Sequence, residues 1–349
     1  AFGHPMFGEG NVNLPISGGY VHFILPSIAR SFKVASPTQP IGTLVQDRQT
    51  GIAGLIGSYP SFIPVNAQIE TIDGKAHAMH YEVIPHRDFS AIYTMVGVWN
   101  LIDALEMSSG DYTLNVDTKI SLKDQSNLTS REIALKNVYS SSGSPGLQAA
   151  RSLLPLSSLI GNDYARVAVE AVNVNIKIED KRKTASIEGI RMDKDRYRPG
   201  EEIQVMVVLR PYLEEPIIQT GRIRIPLDAP EGPITLLAIA GSSYEEWQRA
   251  RAPLNYRPTN INQLIKLLQR GENNNDIILE LFVPIPGMTV QGQEFPELPL
   301  SMLSVMSSPT QSGEGGYTRG TTLHFEKVPT QYVIDGSQFL RLTIDSNAP

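Results

Sequence analysis

Hydrophobic and polar positions alternate with a period of two through most of the chain, the spacing that puts every second side chain on one face of a strand. Phe62–Glu70 and Ala76–Ile84 read as paired strands, and Asp73-Gly74 between them is a tight hairpin turn. Tyr112–Leu122, Arg131–Val138 and Ala168–Ile178 continue the pattern. Before them, Tyr20–Phe32 reads as a buried strand interrupted at Pro26, followed by short strands at Ile41–Val45 and Ile52–Gly57. The glycines of that last strand permit close backbone approach or a bulge.

Two stretches change period. Ile92, Met95, Val96, Trp99, Ile102 and Leu105 form an apolar stripe at helical spacing, so Phe89–Met107 is predicted helical with Asp88 as its cap. Leu147–Ile160 is predicted as a second helix, broken or bent at Pro155. Lys181-Arg182-Lys183 then reads as a solvated turn, and the composition shifts. Beyond it, Ser186–Met192, the turn at Pro199-Gly200, Glu202–Arg210, Gly221–Ile225 and Ile234–Ala240 space short strands and turns as an Ig-like β-sandwich would. Ser243 is expected to cap a short helix through Trp247, and Asn260 to open another, Ile261–Gln269, closed by Gly271. Asp276–Pro284 and Tyr332–Ile344 read as closing strands, and Ser307–Gly320 as a Gly/Ser/Thr-rich mobile loop. The pattern predicts a mainly β protein with two helices in its first half and domains at 1–181 and 186–349.

Composition narrows the chemistry. Among 349 residues, 30 basic and 36 acidic side chains leave a net charge of −6, with no Lys/Arg-rich face interleaved with aromatics. That argues against a nucleic-acid partner. No cysteine is present, which removes disulfides, thiol chemistry and thiolate metal sites. No apolar run reaches the roughly 18–20 residues that span a bilayer. His77, His80 and His86 resemble a metal set, yet residues three apart on a strand face opposite ways, so His77 and His80 cannot share an ion. No cofactor or metal is expected. His22, inside the first predicted strand, reads as a buried histidine held by a backbone partner.

The candidate chemistry lies in the first sixty residues. In Phe2-Gly3-His4-Pro5, glycine frees the backbone before the imidazole and proline fixes it just after, which presents His4 on a tight bend suited to proton transfer. Asp47, in a loop Gln46-Asp47-Arg48, could orient an imidazole, or pair locally with Arg48.

Ala1–Pro5, Leu14-Pro15, Phe32-Lys33, Pro40-Ile41-Gly42-Thr43, Gln46-Asp47-Arg48 and Gly51-Ile52-Ala53-Gly54, in that order, resemble the SpoIVB-type serine peptidases. The resemblance is closer to long exported bacterial proteins that carry a divergent domain of this family. It implies a partial trypsin-like β-barrel in the first half, with His4 as the histidine of a Ser/His/Asp triad. In the family the acidic partner usually lies near the serine, which weakens Asp47 as its match. The family's Gly-Met-Ser-Gly-Ser-Pro motif is absent. Its nearest approach, Ser141-Ser142-Gly143-Ser144-Pro145, reads as a flexible linker closing on a helix start.

In the long relatives the serine motif precedes the Gly-His-Pro segment. The expectation is therefore the C-terminal portion of an exported, periplasmic or cell-envelope protein, inactive as a serine endopeptidase without its upstream segment. Its expected partners are that segment and a protein or peptide. The alternative is a non-catalytic structural or interaction protein of the cell envelope. A carbohydrate-binding β protein is a third reading, and aromatics at 7% give it no support.

Overall fold

Alternation sets which side chains share a face of a strand, and packing of a second layer decides whether that face is buried. The computed structural model describes residues 10–26, 28, 31–48, 50–106, 110–123, 128–290, 293–295 and 315–348, and His4 lies outside them. The protein is mainly β, and its sheet structure includes half a barrel.

The chain opens with β1 (Gly10–Leu25), β2 (Phe32–Arg48) and β3 (Gly51–Ile56), an antiparallel sheet in the order β1-β2-β3. The break expected at Pro26 is the end of β1, so Tyr20–Phe32 spans two strands. The burial expected there is not found: Tyr20, Phe23 and Phe32 are exposed. His22 is exposed too, its Nε2 2.9 Å from Ser36 Oγ. The Asp47-Arg48 loop is the end of β2, which is far longer than the short strand expected.

Next come β4 (Ile63–Glu70), β5 (Ala76–Val83), α1 (Ser90–Leu105), β6 (Gly110–Leu122), β7 (Glu132–Gly143), α2 (Pro145–Ser152), α3 (Leu154–Ile160) and β8 (Val169–Glu179). The sheet order is β5-β4-β8-β6-β7, with β4 and β8 parallel and the other pairs antiparallel. Gly74 turns the β4–β5 hairpin at φ +80°, where a side chain would be strained. Alternate residues Val65, Ala67, Leu114, Val116, Val172 and Val174 face Val98, Ile102, Ala149, Leu156 and Leu159 of the three helices. Phe89, rather than Asp88, is the N-cap of α1, without a side-chain hydrogen bond. The predicted break near Pro155 is present, because proline starts α3 and cannot continue α2.

The second half contains β9 (Thr184–Met192), β10 (Arg196–Tyr197), β11 (Glu202–Pro211), β12 (Ile217–Arg224), β13 (Gly232–Ala240), α4 (Gly241–Arg251), a 3-10 turn at Pro253–Tyr256 and α5 (Ile261–Gln269). It closes with β14 (Asp276–Val283), β15 (Gly287–Val290), β16 (Gln293–Phe295), β17 (Gly315–Thr318), β18 (Thr321–Pro329), β19 (Val333–Asp335) and β20 (Ser337–Ile344). A five-stranded sheet β10-β20-β13-β14-β18 and a four-stranded sheet β12-β11-β9-β19 share one core, built from Val205, Val207, Leu236, Ala238, Leu279 and Ile334 among others.

Asn260 caps α5 as expected, accepting from the Gln263 backbone N–H. Ile261, Leu264 and Ile265 of this helix join the core of the β4–β8 layer. Ser243 is not a cap: α4 begins two residues earlier, after Ala240. Of the predicted Ser307–Gly320 loop, Gly315–Thr318 is a strand paired with β15, and residues 307–314 lie outside the described set.

Candidate functional site

Successive residues of a strand point to opposite faces, so two adjacent exposed apolar residues mean that both faces are open. The β1–β3 sheet has three such runs: Phe23-Ile24-Leu25, Leu55-Ile56 and Tyr20-Val21. Ile52 is 71% exposed and Ile56 73%. Contiguous exposed apolar side chains of this kind are a feature of surfaces that another layer or partner covers. Of the glycines in this sheet, Gly54 and Gly42 sit at close approaches, while Gly51 has open space around it. A Cβ on Gly54 would sit 2.3 Å from Ile16 Cδ1, and one on Gly42 2.3 Å from the Leu55 carbonyl oxygen.

Asp47 lies in this sheet, opposite Ile52, with its side chain 3% exposed. Thr43 is also buried and donates to the Ser58 carbonyl at 2.6 Å. The sheet therefore offers a sequestered carboxylate beneath an apolar exterior. Its relation to His4 falls outside the described residues.

The serine run has a structural assignment. Ser141 and Ser142 pair in β7 with Tyr112 and Asp111, so they belong to a strand rather than a linker. Gly143 adopts φ +118°, and Ser144 caps α2 by accepting from the Leu147 N–H at 3.2 Å. Its hydroxyl donates to Asp103 Oδ1 at 3.2 Å, while the Trp99 indole N–H holds the other carboxylate oxygen at 2.6 Å. Pro145 at the first helical position completes a helix start. An activated nucleophile needs a base on its hydroxyl, and none of these partners is an imidazole.

The histidines are dispersed. His77 is half-buried on β5, and His80, on the opposite face, bonds Asn66 Oδ1 through Nδ1 at 2.9 Å. Nδ1 of His86 accepts from the Asp88 N–H. Among the described residues no three His, Asp or Glu side chains gather as a metal site.

A second site was not anticipated from the sequence. Glu280, fully buried in the middle of β14, accepts from Trp247 Nε1 at 2.7 Å, Gln248 Nε2 at 2.9 Å and the Thr322 hydroxyl. One turn along α4, the buried Arg251 makes paired 2.7 Å bonds to both oxygens of Glu294, and also reaches Gln248 Oε1 and the Gly320 carbonyl. Burial pushes the Glu280 carboxyl above its ordinary value. Burial would do the same to Glu294, but the Arg251 guanidinium outweighs it and holds that carboxyl below the usual range. A cavity of about 560 Å³ opens over this network, lined by Tyr244, Tyr256, Leu267, Arg270, Leu323 and Phe325 among others.

The signal was a glutamate inside the apolar run Asp276–Val283, together with Trp247, Gln248 and Arg251 at helical spacing. A carboxylate in such a strand must find donors across the sheet. Comparison with known family models, curated proteins and solved structures finds no match for this chain.

Proposed function

We propose that this chain is the C-terminal portion of an exported serine peptidase-like protein of the SpoIVB type, non-hydrolytic without the segment that carries the serine. The observation that carries the reading is the β1–β3 sheet, apolar and exposed on both faces in the stretch where the resemblance is densest. In this reading the sheet is part of a trypsin-like barrel, and strands of the upstream segment cover it. His4 is the general base, Asp47 the candidate orienting acid, and the two-sheet second half an Ig-like docking module. The setting is the periplasm or cell envelope.

The commitment of Ser144 to capping supports the non-hydrolytic part. Removing the serine of a complete triad typically lowers turnover about a millionfold. The same open sheet also supports the alternative, a structural or interaction protein of the envelope whose sheet binds another protein.

The test uses a fluorophosphonate probe and casein on the chain alone and on the chain joined to its upstream segment. The expected result is no labelling alone, and labelling with the segment that vanishes in His4→Ala. Labelling of the chain alone that disappears in Ser144→Ala would overturn the reading. An inert joined protein whose apolar sheet is nonetheless covered, seen as lost binding of a hydrophobic dye, would select the interaction alternative.

A further inference from the structure

We propose that the cavity between α4, the end of α5 and β18 binds the C-terminal end of an apolar peptide, with its carboxylate on Arg270 and its backbone along β18. This goes beyond the peptidase-like reading and does not depend on it.

Shape comes first. β18 is the last strand of its sheet, so among the described residues one of its edges has no strand partner, and Thr322, Leu323 and Phe325 of that strand line the cavity. An open strand edge beside a cavity with an apolar wall, here Leu267, Leu323 and Phe325 among charged side chains, is an arrangement in which an extended peptide can add as a further strand and seat its side chains. Tyr244 of α4 meets Phe325 with ring centroids 5.9 Å apart, which makes an aromatic wall for a large apolar side chain.

Charge then selects the end group. Arg251 is occupied by Glu294, Gln248 and Gly320. Glu245 pairs with Arg249 at 2.6 Å, and Glu272 with Lys327. Among the described lining residues this leaves Arg270 as the cation without an ion pair. Its guanidinium lies over the Tyr256 ring, 5.8 Å from the centroid, with Arg249 5.5 Å from the same centroid. Glu245 and Glu272 are paired with Arg249 and Lys327, which lie outside the lining, so one lining guanidinium is left for a ligand anion. That matches a monoanion, and a carboxylate also fits the forked donors of arginine. A doubly charged phosphate would leave one of its charges unmatched by that single guanidinium.

The probe is a dye-labelled Gly-Ser-Gly-Val-Leu-Phe peptide, prepared as the free acid and as the C-terminal amide and titrated into the full chain by fluorescence anisotropy. The free acid is expected to bind roughly tenfold or more tightly than the amide, the scale of a charge-assisted hydrogen bond. Arg270→Gln, an exposed position that leaves the core untouched, should abolish that preference while amide binding stays unchanged. Hydrogen exchange should slow across Thr321–Phe325 when the acid is bound.

Three results would overturn the proposal: equal affinity for acid and amide, no binding at millimolar peptide, or an acid preference that survives Arg270→Gln. Protection elsewhere but not on β18 would overturn the strand-addition part, and displacement of the acid by inorganic phosphate at similar concentration would overturn the choice of a monoanion.

Discussion

Two regions of this molecule invert the usual arrangement, and in opposite directions. On the β1–β3 sheet, Phe23, Ile24, Ile52 and Ile56 meet water. Beneath α4, the ionisable side chains of Glu280 and Arg251 are closed off from it. The charged region is complete in itself: each oxygen of Glu280 has a donor, and each nitrogen of the Arg251 guanidinium has an acceptor. No comparable partner is supplied to the apolar faces of β1–β3 by the described residues. Burial thus follows satisfaction rather than residue type. A charge is sealed in where hydrogen bonds replace its hydration, and a hydrophobe stays outside where no second layer arrives.

The largest effect that would break this comparison comes from the buried pair. Arg251→Ala is expected to destabilise by up to about 3–5 kcal/mol, because it removes the paired cation of Glu294, which keeps only Asn255 as a donor, and leaves Gln248 Oε1 and the Gly320 carbonyl without theirs. A paired replacement, Arg251→Met with Glu294→Leu, should cost much less, since no lone charge is left behind. Urea unfolding of the three proteins measures both. A loss under about 1 kcal/mol in Arg251→Ala would mean that the network is not closed off, and the contrast would fall.

A smaller effect sharpens the same side. Glu294 is held below its ordinary value, so its contribution is full above about pH 4.5 and is lost as pH falls through the folded-state value. Glu280 has the opposite sign: its carboxyl is raised by burial, so its contribution is greatest in acid and declines as pH rises past the ordinary range. Glu294→Gln should therefore destabilise by about 1–3 kcal/mol at pH 7, toward the low end because the carboxylate is partly exposed. The gap to wild type should narrow as pH is lowered through 4.5. Unfolding midpoints at a series of pH values would show it, and a gap constant with pH would separate Glu294 from the charge argument.

Features decided by neighbours in sequence were legible in advance. Asp73-Gly74 turns a hairpin, Asn260 caps α5 and Pro155 separates two helices, since in each the controlling contact lies within a few residues. Ser243 and Asp88 failed as caps for a related reason. Local chemistry allows several starting points, and the helices begin at Gly241 after Ala240 and at Ser90 after Phe89. The burial expected for Tyr20–Phe32 is absent because an apolar run marks side chains that would gain from a covering layer, and says nothing of whether that layer arrives. The α4 network joins residues from Trp247 to Thr322, so its pairing appears only when the sheet brings β14 and β18 together. Of the two candidate site residues, Asp47 is placed in β2 and His4 lies outside the described residues, while the helix start expected at Ser144-Pro145 is present with Ser144 as its cap.

The smallest expected effect tests the exposed side. Ile52 and Ile56 are both on β3, mostly open, and adjacent in character to core residues that would be costly to truncate. If their sheet is uncovered in solution, Ile52→Ala and Ile56→Ala remove surface that folding never took from water. Each should then change stability by no more than about 0.5 kcal/mol, while lowering the binding of a hydrophobic dye. The measurement is made at two protein concentrations a hundredfold apart, because self-association would cover the sheet by mass action. A loss above about 1.5 kcal/mol at the higher concentration alone would show that a second copy supplies the missing layer. The same loss at both concentrations would mean that the layer comes from within the chain, and the two regions would then obey the usual rule in place of its inversion.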